Sequence, residues 1–183
     1  KPTQEGIYEH YKYISNNTSV PIIIYNVPGR TAKNILPETV LRLAKEFDSI
    51  IGIKEAGNDI NQYLELINNK PEDFLIISGD DDLALSSVIA GGDGVISVIG
   101  QAFPEKFSKM INYALDNNPL SATSIHEQLI NITSLIFREN NPAGVKSVLH
   151  EMNLCNDVLR LPLLPVSKNL RSEILAELNN LKL

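Results

Sequence analysis

Lys54 ends an apolar run, Ile50-Ile51-Gly52-Ile53, so its aliphatic stem leaves a buried segment and carries the amine to the rim. Desolvation disfavours an ammonium, and the neutral amine is the nucleophile that attacks a carbonyl to form a Schiff base. A lysine that snorkels to solvent or pairs with a carboxylate satisfies the same spacing. Tyr25 ends a second apolar run, Val20 to Tyr25. A phenol there can pass protons to and from a carbinolamine or aldol oxygen, although an amphipathic tyrosine at a core edge is the plainer role. Arg30 follows in the loop Pro28-Gly29-Arg30-Thr31. A guanidinium at that point can clamp a substrate carboxylate through two hydrogen bonds, but by itself it is a loop arginine.

Other candidates are weaker. Asp80-Asp81-Asp82 offers three carboxylates. Adjacent side chains point apart, and a hard cation needs oxygens converging from separate segments, so capping of a helix before Leu83 explains the run more simply. Cys155 is the single cysteine, and His10, His126 and His150 are far apart in the chain, so neither a disulfide nor a metal site can be drawn.

The elements that would hold these side chains are legible from periodicity. Thr3 and Glu5 precede Ile7, Tyr8, Tyr11 and Ile14 at helical spacing, and Val20 to Tyr25, apolar on both faces, reads as a buried strand. Pro37 opens a helix with the face Leu36, Val40, Leu43, Ala44 and Phe47. The alternation repeats with strands at 50–54, 74–78 and 94–98, each followed by a helix, near 60–68, 83–90 and 104–117. Four strand–helix units without a hairpin signal predict a parallel sheet covered by helices. In such folds the reactive groups sit at the carboxyl ends of strands, which is where Tyr25 and Lys54 fall. From about Pro119 the pattern becomes all-helical, so residues 1–118 and 119–183 are expected to form an α/β part and a helical annex. No G-x-G-x-x-G or Walker pattern follows a strand, and Gly91-Gly92-Asp93-Gly94 precedes one, as a tight turn would. An open doubly wound sheet and half of an eight-stranded (β/α) barrel both accommodate this.

Composition narrows the functions. The 183 residues are 43% hydrophobic and 21% charged, which suits a packed globular protein, and the apolar runs fall far short of a membrane span. Sixteen Lys and Arg against 22 Asp and Glu give a net charge of −6, with no basic run, which argues against a nucleic-acid partner. A cytoplasmic setting is expected.

Taken together, Tyr25-Asn26-Val27-Pro28-Gly29-Arg30-Thr31, Gly52-Ile53-Lys54-Glu55-Ala56, Ser78-Gly79-Asp80-Asp81 and Gly91-Gly92-Asp93-Gly94-Val95-Ile96-Ser97-Val98 resemble the dihydrodipicolinate synthase branch of the N-acetylneuraminate lyase family. Asn141-Pro142-Ala143-Gly144-Val145-Lys146 and Leu159-Arg160-Leu161-Pro162 are similar to its C-terminal helical region. The resemblance implies a (β/α)8 TIM barrel with extra C-terminal helices. It also implies a cofactor-free condensation of pyruvate with aspartate semialdehyde, on the route to diaminopimelate and lysine, by a dimer or tetramer. Lys54 then matches the Schiff-base lysine, Tyr25 the proton-relay tyrosine and Arg30 the arginine that receives the semialdehyde carboxylate. Ile96 and Gly79 match positions lining the pyruvate pocket, chiefly through backbone groups.

The opening Lys1 to Gly6 resembles the segment just after the family's fourth barrel strand, so this chain is expected to carry strands five to eight. The threonines that bind the pyruvate carboxylate, a tyrosine contributed across the dimer and the lysine feedback site would lie outside it. Ala143-Gly144 stands where Ile-Pro is more usual. In a closed barrel Ile22, Ile24, Ile51, Ile53, Ile76 and Ile96 would be the inward-facing apolar residues. Other pyruvate-dependent aldolases of the superfamily share the lysine and the tyrosine, but Gly29-Arg30-Thr31 is a feature of the synthase branch. A non-catalytic half-barrel acting as a binding module is the reading from another class.

Overall fold

The computed structural model describes residues 1–181. They divide into two compact units, 1–97 and 98–181. The first begins with helix α1 (Gln4–Asn16), whose Thr3 side chain accepts the Gly6 N–H at 3.1 Å and so satisfies one of the unpaired donors of the first turn. Strand β1 (Ile22–Asn26), the short helix α2 (Pro28–Thr31), helix α3 (Pro37–Glu46) and strand β2 (Ile50–Glu55) follow. Helix α4 (Ile60–Asn69), strand β3 (Leu75–Ser78), helix α5 (Ala84–Ile89) and strand β4 (Gly94–Val95) complete the unit. The strands form one parallel sheet in the order β1-β2-β3-β4. The expected alternation is therefore present, with α2 an addition that four residues of loop-like sequence did not signal.

Register decides what each face carries. Tyr25 pairs with Lys54 and Lys54 with Ile77, while Ile24 pairs with Ile53 and Ile53 with Ile76. Because side chains alternate along a strand, the second row lies under the helices and the first on the opposite face. Ile24, Ile53 and Ile76 are almost fully buried, each contributing roughly 1.5–3 kcal/mol on removal from water. Tyr25 and Ile23, by contrast, are 46% and 40% exposed. This corrects two expectations. The first strand is not buried on both faces. Of the six proposed inward-facing isoleucines, Ile22, Ile24, Ile53 and Ile76 belong to the helix-covered side and Ile96, 47% exposed, to the open one, while Ile51 is half-buried. Alternation is the reason, since the neighbours of Tyr25 and Lys54 turn to the opposite face; a register shift, with Ile22 pairing with Ile50 but Ile23 with Gly52, leaves only Ile51 with no opposite number. The fourth strand is also shorter than the expected 94–98. After the Ile96 N–H reaches the Ser78 carbonyl at 2.9 Å, the chain leaves the sheet.

The second unit is helical. A 3-10 turn (Ile99–Gln101) precedes α6 (Pro104–Leu115), α7 (Pro119–Arg138), α8 (Ala143–Glu151) and α9 (Lys168–Asn180). The stripe Ala122, Leu129, Ile132 and Ile136 of α7 is buried, as are Val145 and Val148 of α8 and Leu170, Ile174 and Leu178 of α9. Ser167 caps α9 through the Leu170 N–H at 3.2 Å and is itself held by Glu139, at 2.7 Å to its N–H and 2.5 Å to its hydroxyl. No helix among the described residues is long and apolar enough to cross a membrane.

Candidate active site at the strand ends

Tyr25 and Lys54 sit side by side on the open face, one residue from the carboxyl ends of neighbouring parallel strands. The Lys54 Nζ stands 4.3 Å from the centroid of the Tyr25 ring. A cation–π contact of this kind is worth about 0.5–1 kcal/mol at an exposed site, enough to orient the amine and too little to lock it. Lys54 is half-buried. Its stem runs past Gly79, where an added Cβ would lie 2.7 Å from Lys54 Cε. Ile96, on the same face, is anchored to β3 by its backbone. Arg30 is exposed in α2, directly after β1. Tyr25, Lys54, Gly79 and Ile96 are thus gathered on one sheet face at its carboxyl edge, with Arg30 on the connection leaving that edge.

A cavity of about 480 Å³ opens between α1 and the end of β1, lined by Ile7, His10, Tyr11, Tyr25, Thr31 and Ile35 among others. Tyr25 borders it and Lys54 does not. The aspartates do not cap the helix as expected, since α5 starts at Ala84 without a side-chain cap; instead Asp80 Oδ1 accepts the N–H groups of Asp82 and Leu83, both at 3.0 Å, and closes the turn before it. Burial pushes the Asp80 carboxyl up, against the pull of those donors.

Beneath the open face lies a polar cluster that sequence reasoning did not find. Asn26 and Glu55 each follow one of the two open-face residues and therefore turn under the helices, where both are almost fully buried. Glu55 Oε2 accepts from Asn26 Nδ2 and Gln62 Nε2, each at 2.8 Å, and Oε1 accepts from the Gly57 N–H at 2.6 Å. Asn34 closes the cluster, its Oδ1 accepting from Asn26 at 2.8 Å and its Nδ2 donating to Gln62 at 2.7 Å. Deeper in, the fully buried Tyr63 hydroxyl donates to the Glu55 carbonyl and lies 3.2 Å from Ser78 Oγ. Burial drives the Tyr63 phenol far above its usual range. A signal was available, because strand alternation puts Asn26 and Glu55 on the covered face and buried polar groups are nearly always paired.

Burial also raises the Glu55 carboxyl above its ordinary value of 4.5, outweighing its three N–H donors. The folded protein then holds this proton more tightly than the unfolded chain. The stability so contributed is complete below about pH 4.5 and is lost as the pH climbs through the raised native value. Glu55→Gln removes that titration. The unfolding free energy of the parent minus that of the variant, from urea melts across this range, is therefore expected to fall with rising pH. A difference that rises instead would mean that the donors outweigh burial.

The fold and its candidate site are thus a parallel α/β sheet with a lysine and a tyrosine paired on its open face at the carboxyl ends. The chain belongs to the dihydrodipicolinate synthetase family, whose profile matches residues 1–181. It is 50% identical to the 4-hydroxy-tetrahydrodipicolinate synthase of Flavobacterium psychrophilum over 174 residues, covering 95% of this chain and 59% of that protein. With the enzyme of the same name from Phocaeicola vulgatus it is 48% identical over all 183 residues, 62% of that protein. The dihydrodipicolinate synthase structure from Thermotoga maritima superposes with a TM-score of 0.97 at 39% identity, covering 100% of this chain and 63% of that one. The pyruvate complex of the chloride-inhibited dihydrodipicolinate synthase from Acinetobacter baumannii gives 0.95 at 37% identity, with 100% and 62% covered. The chain thus spans about three fifths of the length of these relatives.

Proposed function

We propose that this chain carries the lysine-bearing part of a 4-hydroxy-tetrahydrodipicolinate synthase, a cytoplasmic homo-oligomer that condenses pyruvate with aspartate semialdehyde in lysine biosynthesis. In this reading residues 1–118 are strands five to eight of a (β/α)8 barrel with their helices, and 119–183 its C-terminal helical region, of which 182 and 183 lie outside the described residues. The observation that carries the reading is the Tyr25–Lys54 pair, with the amine 4.3 Å from the ring at the carboxyl ends of β1 and β2. The Acinetobacter relative, crystallised with pyruvate, supports that substrate.

The Lys54 amine attacks the ketone carbon of pyruvate, and the carbinolamine loses water to leave an imine. Loss of a methyl proton converts the imine to an enamine, whose carbon attacks the aldehyde carbon of the semialdehyde. Tyr25 moves the protons that these steps release and consume. Arg30, exposed on α2, takes the semialdehyde's carboxylate. Gly79 and Ile96 line the pyruvate side. The intact protein incubated with pyruvate and borohydride is expected to be trapped covalently at Lys54, because reduction fixes the imine. Peptide mass spectrometry that finds the adduct on another lysine, or on none, overturns the reading.

A further inference from the structure

We propose that Gly79 is a positioning residue for Lys54: the missing side chain at 79 leaves the groove through which the lysine stem passes, and this fixes where the amine stands relative to Tyr25. A Cβ at Gly79 would lie 2.7 Å from Lys54 Cε, 3.0 Å from Lys54 Cγ and 2.9 Å from Ala56 Cβ. All three are well inside the roughly 3.5–4 Å at which carbon atoms rest against each other. Gly79 is pinned in place, since its N–H donates at 2.6 Å to the Glu55 carbonyl, which also takes the Tyr63 hydroxyl. Backbone conformation does not explain the glycine. The glycines in the left-handed region among the described residues are Gly91 and Gly94. An added methyl group is accommodated mainly by the flexible lysine stem, with Ala56 giving by a few tenths of an ångström. Gly79→Ala is thus expected to keep the fold and move the amine.

The consequence for chemistry rests on reading Lys54 as the nucleophile, and the test separates the two ideas. Lysines of the parent protein are dimethylated with ¹³C-formaldehyde, and the Lys54 resonance is assigned by its loss in Lys54→Arg. The Tyr25 ring current displaces that resonance from those of exposed lysines, and Tyr25→Leu confirms the source. Gly79→Ala is expected to return it toward the exposed position and to slow trapping by pyruvate and borohydride roughly 10- to 100-fold. A resonance unmoved by Gly79→Ala overturns the proposal whatever the trapping rate. A parent protein with the displaced resonance but no trapping overturns the nucleophile reading instead. If Gly79→Ala melts too low to label, the melting-temperature loss is compared in a Lys54→Ala background, where relief of the clash is expected to shrink it by about half or more. An equal loss in both backgrounds overturns the proposal.

Discussion

Lys54→Arg is expected to abolish both pyruvate trapping and turnover of the intact protein, because a guanidinium stays protonated and cannot attack a carbonyl. Two neighbouring substitutions should fail differently. Tyr25→Phe keeps the ring beside the amine and removes only the hydroxyl, so imine trapping should survive while kcat falls roughly 100-fold or more. On the role proposed for Arg30, Arg30→Ala would remove a charge-assisted carboxylate contact of about 2–3 kcal/mol and should raise the KM for aspartate semialdehyde roughly 30- to 150-fold with imine formation nearly intact. Steady-state kinetics with each substrate varied in turn distinguishes the three. Turnover retained by Lys54→Arg, or equal effects of the other two on KM alone, contradicts the assigned roles.

The second large effect concerns stability and lies in the helical unit. Gly144 is the second residue of α8, and a Cβ there would stand 1.9 Å from the Ile136 carbonyl oxygen and 2.6 Å from its carbon. Both belong to the backbone of α7 and cannot swing aside as a side chain does. Gly144→Ala gains about 0.5–1 kcal/mol of helix propensity. Forcing α8 from α7 costs more, roughly 3 kcal/mol, and the clash wins. For a unit of this size the net loss should lower the melting temperature by roughly 8–16 °C, which calorimetry reads directly. A variant that melts at or above the parent would show that the two helices separate freely. The substitution lies far along the chain from Lys54, so the trapping reaction serves as a control for a local effect.

Much of the site was legible because its signals are local. An apolar run ending in a lysine or tyrosine is a property of five or six consecutive residues, and strand–helix alternation places such ends together. A structural role for Asp80 was readable for the same reason, its two N–H partners lying within three residues, although it closes a turn rather than capping α5. Glu55 and Gln62 were not, although they are only seven apart, since their contact at 2.8 Å depends on how α4 lies over β2.

What the amino-acid sequence alone determined is therefore the order of strands and helices, the parallel sheet and the two strand ends that carry Tyr25 and Lys54. Hydrophobic periodicity and chain connectivity dictate all of these without reference to distant residues. Only the tertiary structure decided which face of the sheet the helices cover and that Ile51 is left without an opposite number, because packing and register are written in contacts between separate segments. It alone cut β4 to Gly94–Val95. It alone brought Gly79 against the stem of Lys54, 25 residues away, where the relevant property is a side chain that is not there.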